Sequence, residues 1–160
     1  EGDAAKALID QGADIITQHT DSPAPLQVAE NRGVKGFGQA SDMIKFAPKA
    51  QLSAIVNNWG AYYLERTNAM MNGSWKSQDV WYGLKEGMVQ MAPYTNMSSD
   101  AAALAKKTED AIRSGALHPF SGPIKDQSGK LVVKAGEIAE AGMLLGMNFY
   151  VEGVQGSLPK

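Results

Sequence analysis

The first sixty residues alternate between two hydrophobic periods. Ala4, Ala5, Leu8 and Ile9 recur at helical spacing over residues 3–11, and Gly12 stops that helix. Residues 13–18 carry the apolar pair Ile15-Ile16 and read as a short buried strand. Leu26, Val28 and Ala29 define the inward face of a helix over 24–32, closed by Gly33. Residues 34–39 (VKGFGQ) and 51–56 (QLSAIV) read as two further strands. A β-α-β alternation of this kind predicts a parallel sheet with right-handed crossovers, hence an α/β fold.

Later segments follow other patterns. Asn58 is placed to cap a helix from about Gly60 to Met71, ended by Asn72-Gly73. Residues 74–79 form a polar connection. Residues 80–92 (VWYGLKEGMVQMA) read as two short strands about a Lys85-Glu86-Gly87 turn. Ser98 or Ser99 caps the longest helix, over 99–114, with Ala102, Ala103, Leu104, Thr108, Ala111 and Ile112 as its buried stripe and Gly115 at its end. Beyond it the chain is rich in turns. A hairpin is expected with PI and KLVV as its arms around KDQSG, then a strand over 143–151 (MLLGMNFYV), then a surface tail (VEGVQGSLPK).

Composition narrows the function. A chain of 160 residues is long enough for one full core or for part of a larger protein. Net charge is −2 with Lys and Arg scattered, which argues against a nucleic-acid partner, because phosphate binding needs a basic stripe. No apolar run approaches the roughly 20 residues of a membrane-spanning helix. The opening EGDAAKALID starts inside a helical pattern without Met, so the start is expected to be processed or truncated. Cysteine is absent, which removes thiol catalysis, disulfides and Cys-ligated zinc. His19 and His118 show no metal-ligand spacing, and no cofactor motif stands out. Gly36-Phe37-Gly38 is a bare Gly-x-Gly inside a strand, a weak nucleotide signal. No Ser-His-Asp spacing or P-loop is present, so catalysis has little support and a non-enzymatic role is expected.

Candidate binding residues follow from strand ends, because ligands of open parallel sheets bind outside the carboxyl ends of the strands. The first strand runs into Gln18-His19-Thr20-Asp21-Ser22, the second into Gln39-Ala40-Ser41-Asp42. Thr20 and Asp21 can contact a ligand; the alternative is helix capping, since Asp21 or Ser22 ahead of Pro23 is good N-cap chemistry. Gln39 and Asp42 face the same choice, with Asp42 able to cap the segment MIKFAPKA instead. Two successive polar strand ends on one rim are more telling than either alone.

The words QHTDSPAPLQVAENRGVKGFGQASDM, AIVNNWGAYYLERTNAMMNGSWKS, YGLKEGMVQMAPY, HPFSGPIKDQSGKLVVKAGE and GMNFYVEGVQGSLPK run through the chain in that order. Together they resemble the carboxyl-terminal half of the BMP (basic membrane lipoprotein) family. These are substrate-binding proteins of ABC transporters whose studied members bind purine nucleosides or related bases.

The resemblance implies a type I periplasmic-binding-protein fold with Rossmann-like lobes, of which this chain holds the second lobe and part of the first. Residues 1–56 are then second-lobe α/β structure. Residues 57–92 cross the hinge and complete the first lobe, and 93–160 return to the second lobe, the hinge and a carboxyl-terminal extension. It implies an extracytoplasmic, periplasmic protein, in many members lipid-anchored. Such a protein delivers a purine nucleoside or nucleobase to an ABC importer by lobe closure. Its partners are the ligand, the transporter permease and the amino-terminal half of the same protein.

Under that resemblance Asn58 and Trp59 gain a role: Trp59 can stack on a purine, or be wedged between lobes as a large core aromatic. Gly83 and Lys85 lie in a Gly-Leu-Lys word that relatives keep, near a ligand-contacting Lys; a solvated turn lysine is the alternative. An enzyme or a ligand-sensing domain on the same scaffold remains the competing class, since fold alone does not fix function.

Overall fold

In a computed structural model, residues 1–158 are described, and they divide into two compact units, residues 1–113 and a second from Ser114 onward. In the first unit, α1 (Gly2–Asp10), β1 (Ile15–Ile16), α2 (Ala24–Arg32), β2 (Lys35–Gly38) and β3 (Gln51–Asn57) follow in the order expected. They are followed by α3 (Trp59–Met71), β4 (Val89–Met91) and α4 (Ser99–Ser114). The four strands form one sheet in the order β1-β2-β3-β4, with β1, β2 and β3 parallel and β4 antiparallel to β3.

The core lies between this sheet, α2 and the loop behind β2. Leu26, Ala29, Met43, Ala47 and Ala50 pack together there. Full burial of Leu26 alone contributes about 1.5–3 kcal/mol. The two glycines of β2 make that packing possible. A Cβ on Gly36 would sit 2.7 Å from Leu26 Cδ2 and 2.9 Å from the Ile16 carbonyl oxygen; one on Gly38 would sit 2.8 Å from Ala54 Cβ. Gly36-Phe37-Gly38 is therefore a close-approach strand. α2 ends as its sequence predicts, with Gly33 at φ +72°.

In β3 the first four residues, Gln51 to Ala54, are all buried, as in a strand covered on both faces. Its polar members are satisfied. Ser53 Oγ donates to the Ala92 carbonyl at 2.8 Å. Gln51 accepts from the Met43 N–H at 3.1 Å and donates to Asp42 Oδ1 at 2.7 Å.

Three local expectations are corrected in this unit. Residues 80–92 hold one strand: β4 pairs with β3 along the edge opposite β2, which no other described strand covers, whereas residues 84–87 form a turn. Asn58 does not cap α3 with its side chain, which instead donates to the Gly87 carbonyl at 3.2 Å. The stripe assigned to α4 is rotated: Leu104 is 66% exposed, while Glu109 is buried at 9%. Glu109 Oε1 accepts from Arg113 at 2.6 Å and Oε2 accepts from the Tyr94 hydroxyl at 3.2 Å, which lets a charge occupy the inner face. Burial and the neighbouring Glu109 carboxylate push the Tyr94 hydroxyl up to about 12.

The second unit contains the expected hairpin, β5 (Ile124–Lys125) against β6 (Leu131–Val133). Asp126 shapes its turn. The carboxylate accepts from the Ser128 hydroxyl at 2.6 Å and from the Ser128 and Lys130 N–H groups, and the hydroxyl bond above all holds its pKa below the usual carboxylate range. The strand expected over 143–151 is overturned: Ala141–Leu145 is a short helix, α5, and Val151 makes an isolated bridge to Asp126. A short continuous apolar run does not distinguish the two by period. The tail is held by Gln127, whose amide donates to the carbonyls of Val154 and Gly156; its last two residues lie outside the described ones.

Candidate functional site

All three parallel strands end on one edge of the sheet, and β4 begins there. The edge is tied across its width. The Asn57 N–H donates to the Ala40 carbonyl at 3.0 Å, and the Asn58 N–H donates to the Met88 carbonyl at 2.7 Å. Ala40 has φ +62°, a left-handed conformation uncommon for a residue with a Cβ. β1 and β3 are separated by β2, so the edge extends about 10 Å from the first strand end to the third.

At the β1 end, the Gln18 amide nitrogen donates to the carbonyls of Thr20 (3.1 Å) and Ser22 (2.9 Å), which curls the loop back on itself. That leaves Gln18 Oε1 and Thr20 Oγ1 buried and without a hydrogen-bond partner among the described residues. Such atoms are costly in a folded chain unless something else satisfies them. Of the two residues ahead of Pro23, Ser22 and not Asp21 meets the start of α2: the Ala24 N–H donates to Ser22 Oγ at 3.1 Å, and Asp21 is exposed.

At the β2 end, Gln39 is half-buried beside Ala40. Asp42 Oδ1 accepts from the Ile44 N–H at 3.1 Å as well as from Gln51, so one carboxylate oxygen fixes the loop that follows.

At the β3 end a cleft of about 430 Å³ opens between the start of α3 and residues 78–82. Asn57, Trp59, Tyr62, Asp79, Trp81 and Tyr82 are among its lining residues. Trp59 stacks on Tyr63 (centroids 5.7 Å apart, 22° between planes) and meets Tyr62 edge-on at 6.0 Å. Tyr62 in turn meets Tyr82 at 6.3 Å and lies under the Arg66 guanidinium. With its amide oxygen turned toward Arg66, Gln78 accepts from both terminal guanidinium nitrogens at 3.3 Å, so α3 holds the opposite wall. Trp59 remains 47% exposed, with free ring surface.

Thus Asn58 and Trp59 stand beside the cleft, and Gly83 and Lys85 lie in its neighbouring turn. The Gly83 N–H donates to Glu86 Oε2 at 2.8 Å, its carbonyl accepts from Val89, and Lys85 is exposed. Thr20, Asp21, Gln39 and Asp42 belong to the β1 and β2 ends of the same edge. Sequence reasoning gave no ligand role to Asn57, Tyr62, Asp79 or Tyr82, and placed Gln18 on the β1 rim without singling it out. The density of aromatic residues in WGAYY and VWY was the available signal, since aromatic surface gathers at binding clefts. Among the described residues no group of three His, Asp or Glu side chains is placed to hold a metal ion, and no helix is long and apolar enough to cross a membrane.

Comparison with known proteins agrees with this architecture. A family model described as ABC transporter substrate-binding protein, PnrA-like (Bmp), matches residues 1–116. A purine-binding protein of Brucella abortus (strain 2308) is 62% identical over all 160 residues, which cover 46% of its length. A Haloferax volcanii protein named as a candidate ABC transporter glucose-binding protein is 29% identical over 158 residues, 98% of this chain and 38% of its own. The chain therefore spans less than half the length of these curated relatives. Among solved structures, a transcriptional activator of the comK gene from Bacillus halodurans superposes with a TM-score of 0.64 at 13% identity, over 73% of this chain and 42% of its own. An ABC transporter solute-binding protein from Conexibacter woesei superposes at 0.55 and 17% identity, over 73% and 40%. These structural likenesses bear on the fold, which is of the periplasmic-binding type.

Proposed function

The chain belongs to the Bmp family of PnrA-like ABC transporter substrate-binding proteins, and from that premise we propose that it supplies one wall of a cleft that captures a purine nucleoside or nucleobase outside the cytoplasm for an ABC importer. The proposal rests on one observation: an aromatic cleft lies at the carboxyl end of β3, on the edge where β1 leaves buried Gln18 and Thr20 oxygens unpartnered. A purine offers a π face for Trp59, and base–aromatic stacking is worth about 1–3 kcal/mol. Its ring nitrogens and ribose hydroxyls suit the amides of Gln39, Asn57 and Asn58 and the oxygens of Thr20, Asp21 and Asp42. Lys85, exposed on the turn that Gly83 begins beside the cleft, is proposed to meet the ligand from the first-lobe side. The 62% identity to a purine-binding protein supports the choice of ligand class.

We assign residues 1–56 to the second lobe, 57–92 to the hinge crossing and completion of the first lobe, and 93–160 to the return to the second lobe, the hinge and a carboxyl-terminal extension, with β4 already back on the β3 edge. α3 supports this: no residue of it is buried, and Tyr63 (60% exposed) and Met71 (81%) stand open on it. A helix of that length with apolar residues on its surface calls for a partner layer. Ligand seated between the lobes makes more contacts when they close, and that difference drives closure. Partners are then the purine, the permease and the rest of the first lobe, and the protein acts without converting its ligand.

Calorimetry against adenine, adenosine, guanosine and inosine, with glucose as the contrasting solute and product analysis of the same samples, tests this. Saturable heat with a purine and unchanged ligand is expected. Turnover of the ligand, or heat with glucose alone, contradicts it. Because the chain spans only 46% of that relative's length and supplies only part of the first lobe on this reading, affinity is expected to rise steeply in a protein of the relatives' full length.

A further inference from the structure

β4 returns the chain from α3 to the main sheet, and the same pair of α4 side chains touches both of its ends. Arg113 Nη1 donates to the Leu84 carbonyl at 3.3 Å, on the turn that leads into β4. Arg113 Nη2 donates to Glu109 Oε1 at 2.6 Å, and Glu109 Oε2 accepts from Tyr94, just after β4, at 3.2 Å. Glu109 is a buried carboxylate, and a buried carboxylate is retained only where its lone pairs are taken up. Arg113 can serve both directions because its planar guanidinium presents separate donor arms in fixed geometry. The Leu84 carbonyl also accepts from the Gly87 N–H at 3.2 Å, and Val89 donates to the Gly83 carbonyl at 3.2 Å, so the turn is a closed unit that Arg113 grips from outside.

On either side of that turn lie residues 78–82 and 88–89, which form one wall of the aromatic cleft. We infer that Arg113, oriented by Glu109, is a positioning residue for this cleft: it fixes the Leu84 turn and thereby the distance between the 78–82 wall and Trp59. The inference deepens the proposed function and rests on it for the identity of the ligand, though not for the mechanical role. It predicts that binding and stability respond separately to changes in the pair.

The experiment compares the unsubstituted protein with Arg113→Met, the double variant Glu109→Gln/Arg113→Met, and Arg113→Lys. Adenosine titration, thermal melting and amide exchange at Gly87 and Val89 are read on each. Arg113→Met leaves the buried Glu109 carboxylate with only the longer Lys106 ion pair at 4.0 Å among the described residues and should melt early. The double variant carries no stranded charge and should melt close to the unsubstituted protein, yet bind adenosine about fivefold or more weakly, the loss expected for one hydrogen bond. Its Gly87 and Val89 amides should exchange faster. Arg113→Lys keeps the charge beside Glu109 but gives up the arm that reaches Leu84, so it should show the same loosened turn and serves if the double variant loses its fold. Adenosine affinity and exchange that return to normal in the folded variants would overturn the inference, leaving the pair as a stabilising contact only. If the unsubstituted protein binds no purine, the ligand assignment fails, and exchange at Gly87 and Val89 decides alone: unaltered protection in Arg113→Lys and the double variant overturns the positioning role.

Discussion

The backbone N–H of Asn57 donates to the carbonyl of Ala40, two residues beyond Gly38, the last residue of β2 paired with β3. The bond holds Ala40 at φ +62° and joins two of the three strand ends that face the proposed ligand. Left-handed backbone costs a residue with a Cβ roughly 1–2 kcal/mol, and far more if it is β-branched. Ala40→Val should therefore lower stability by about 1–2 kcal/mol or more, whereas Ala40→Gly should be neutral or stabilising. Denaturant unfolding of both variants checks the sign of each change.

Gly36 and Gly38 should resist even a methyl group. Added Cβ atoms would approach Leu26, the Ile16 carbonyl and Ala54 within 3 Å, the last two being parts of the neighbouring strands β1 and β3. Overpacking of this kind costs about 1–3 kcal/mol, and Gly36→Ala should lie at the upper end because backbone cannot swing aside. Thermal melts of the two alanine variants would show it.

Tyr94 makes stability depend on alkaline pH. Its folded-state pKa is raised to about 12 from 10.0 by burial and by Glu109. The folded state thus holds the phenolic proton more tightly than the unfolded state. Its contribution is complete below pH 10 and is lost as pH rises from 10 towards 12. Stability measured across that window should decline less in Tyr94→Phe. Ultraviolet titration should show one late-ionising tyrosine that this variant lacks.

Thr20→Val separates folding from binding at the β1 end. Val keeps the shape and removes a buried hydroxyl that meets no partner, so stability should hold or rise, by up to about 1–2 kcal/mol. Purine affinity should fall if Thr20 serves the ligand. Melting and calorimetry on the same variant read both effects.

Much of the first unit was legible because local signals agreed with one another. α2 lies where Leu26 and Ala29 and the closing Gly33 put it, and β2 and β3 follow at the spacing of a β-α-β unit. What escaped was tertiary. Leu104 looked like core by type, but Tyr94 and Arg113 turn the Glu109 face of α4 inward instead. Val80 to Tyr82 looked like a strand by composition, yet β4 finds its partner in β3, far back in the chain. MLLGM carries no period long enough to separate helix from strand, and α5 formed. At the candidate site, the polar strand ends were visible in Thr20 and Gln39. The cleft wall at Asp79 and Tyr82 was not, because it depends on where a loop folds back rather than on any motif.

The most direct test is calorimetric titration of adenosine and adenine into the protein and into Trp59→Ala. Trp59 is half-exposed at the mouth of the cleft, so its removal should leave the fold standing. The account predicts saturable purine binding that weakens about 5- to 150-fold in the variant, the range that loss of one stacking contact allows. Equal purine affinity with and without the Trp59 ring, or no purine binding at all, would contradict it.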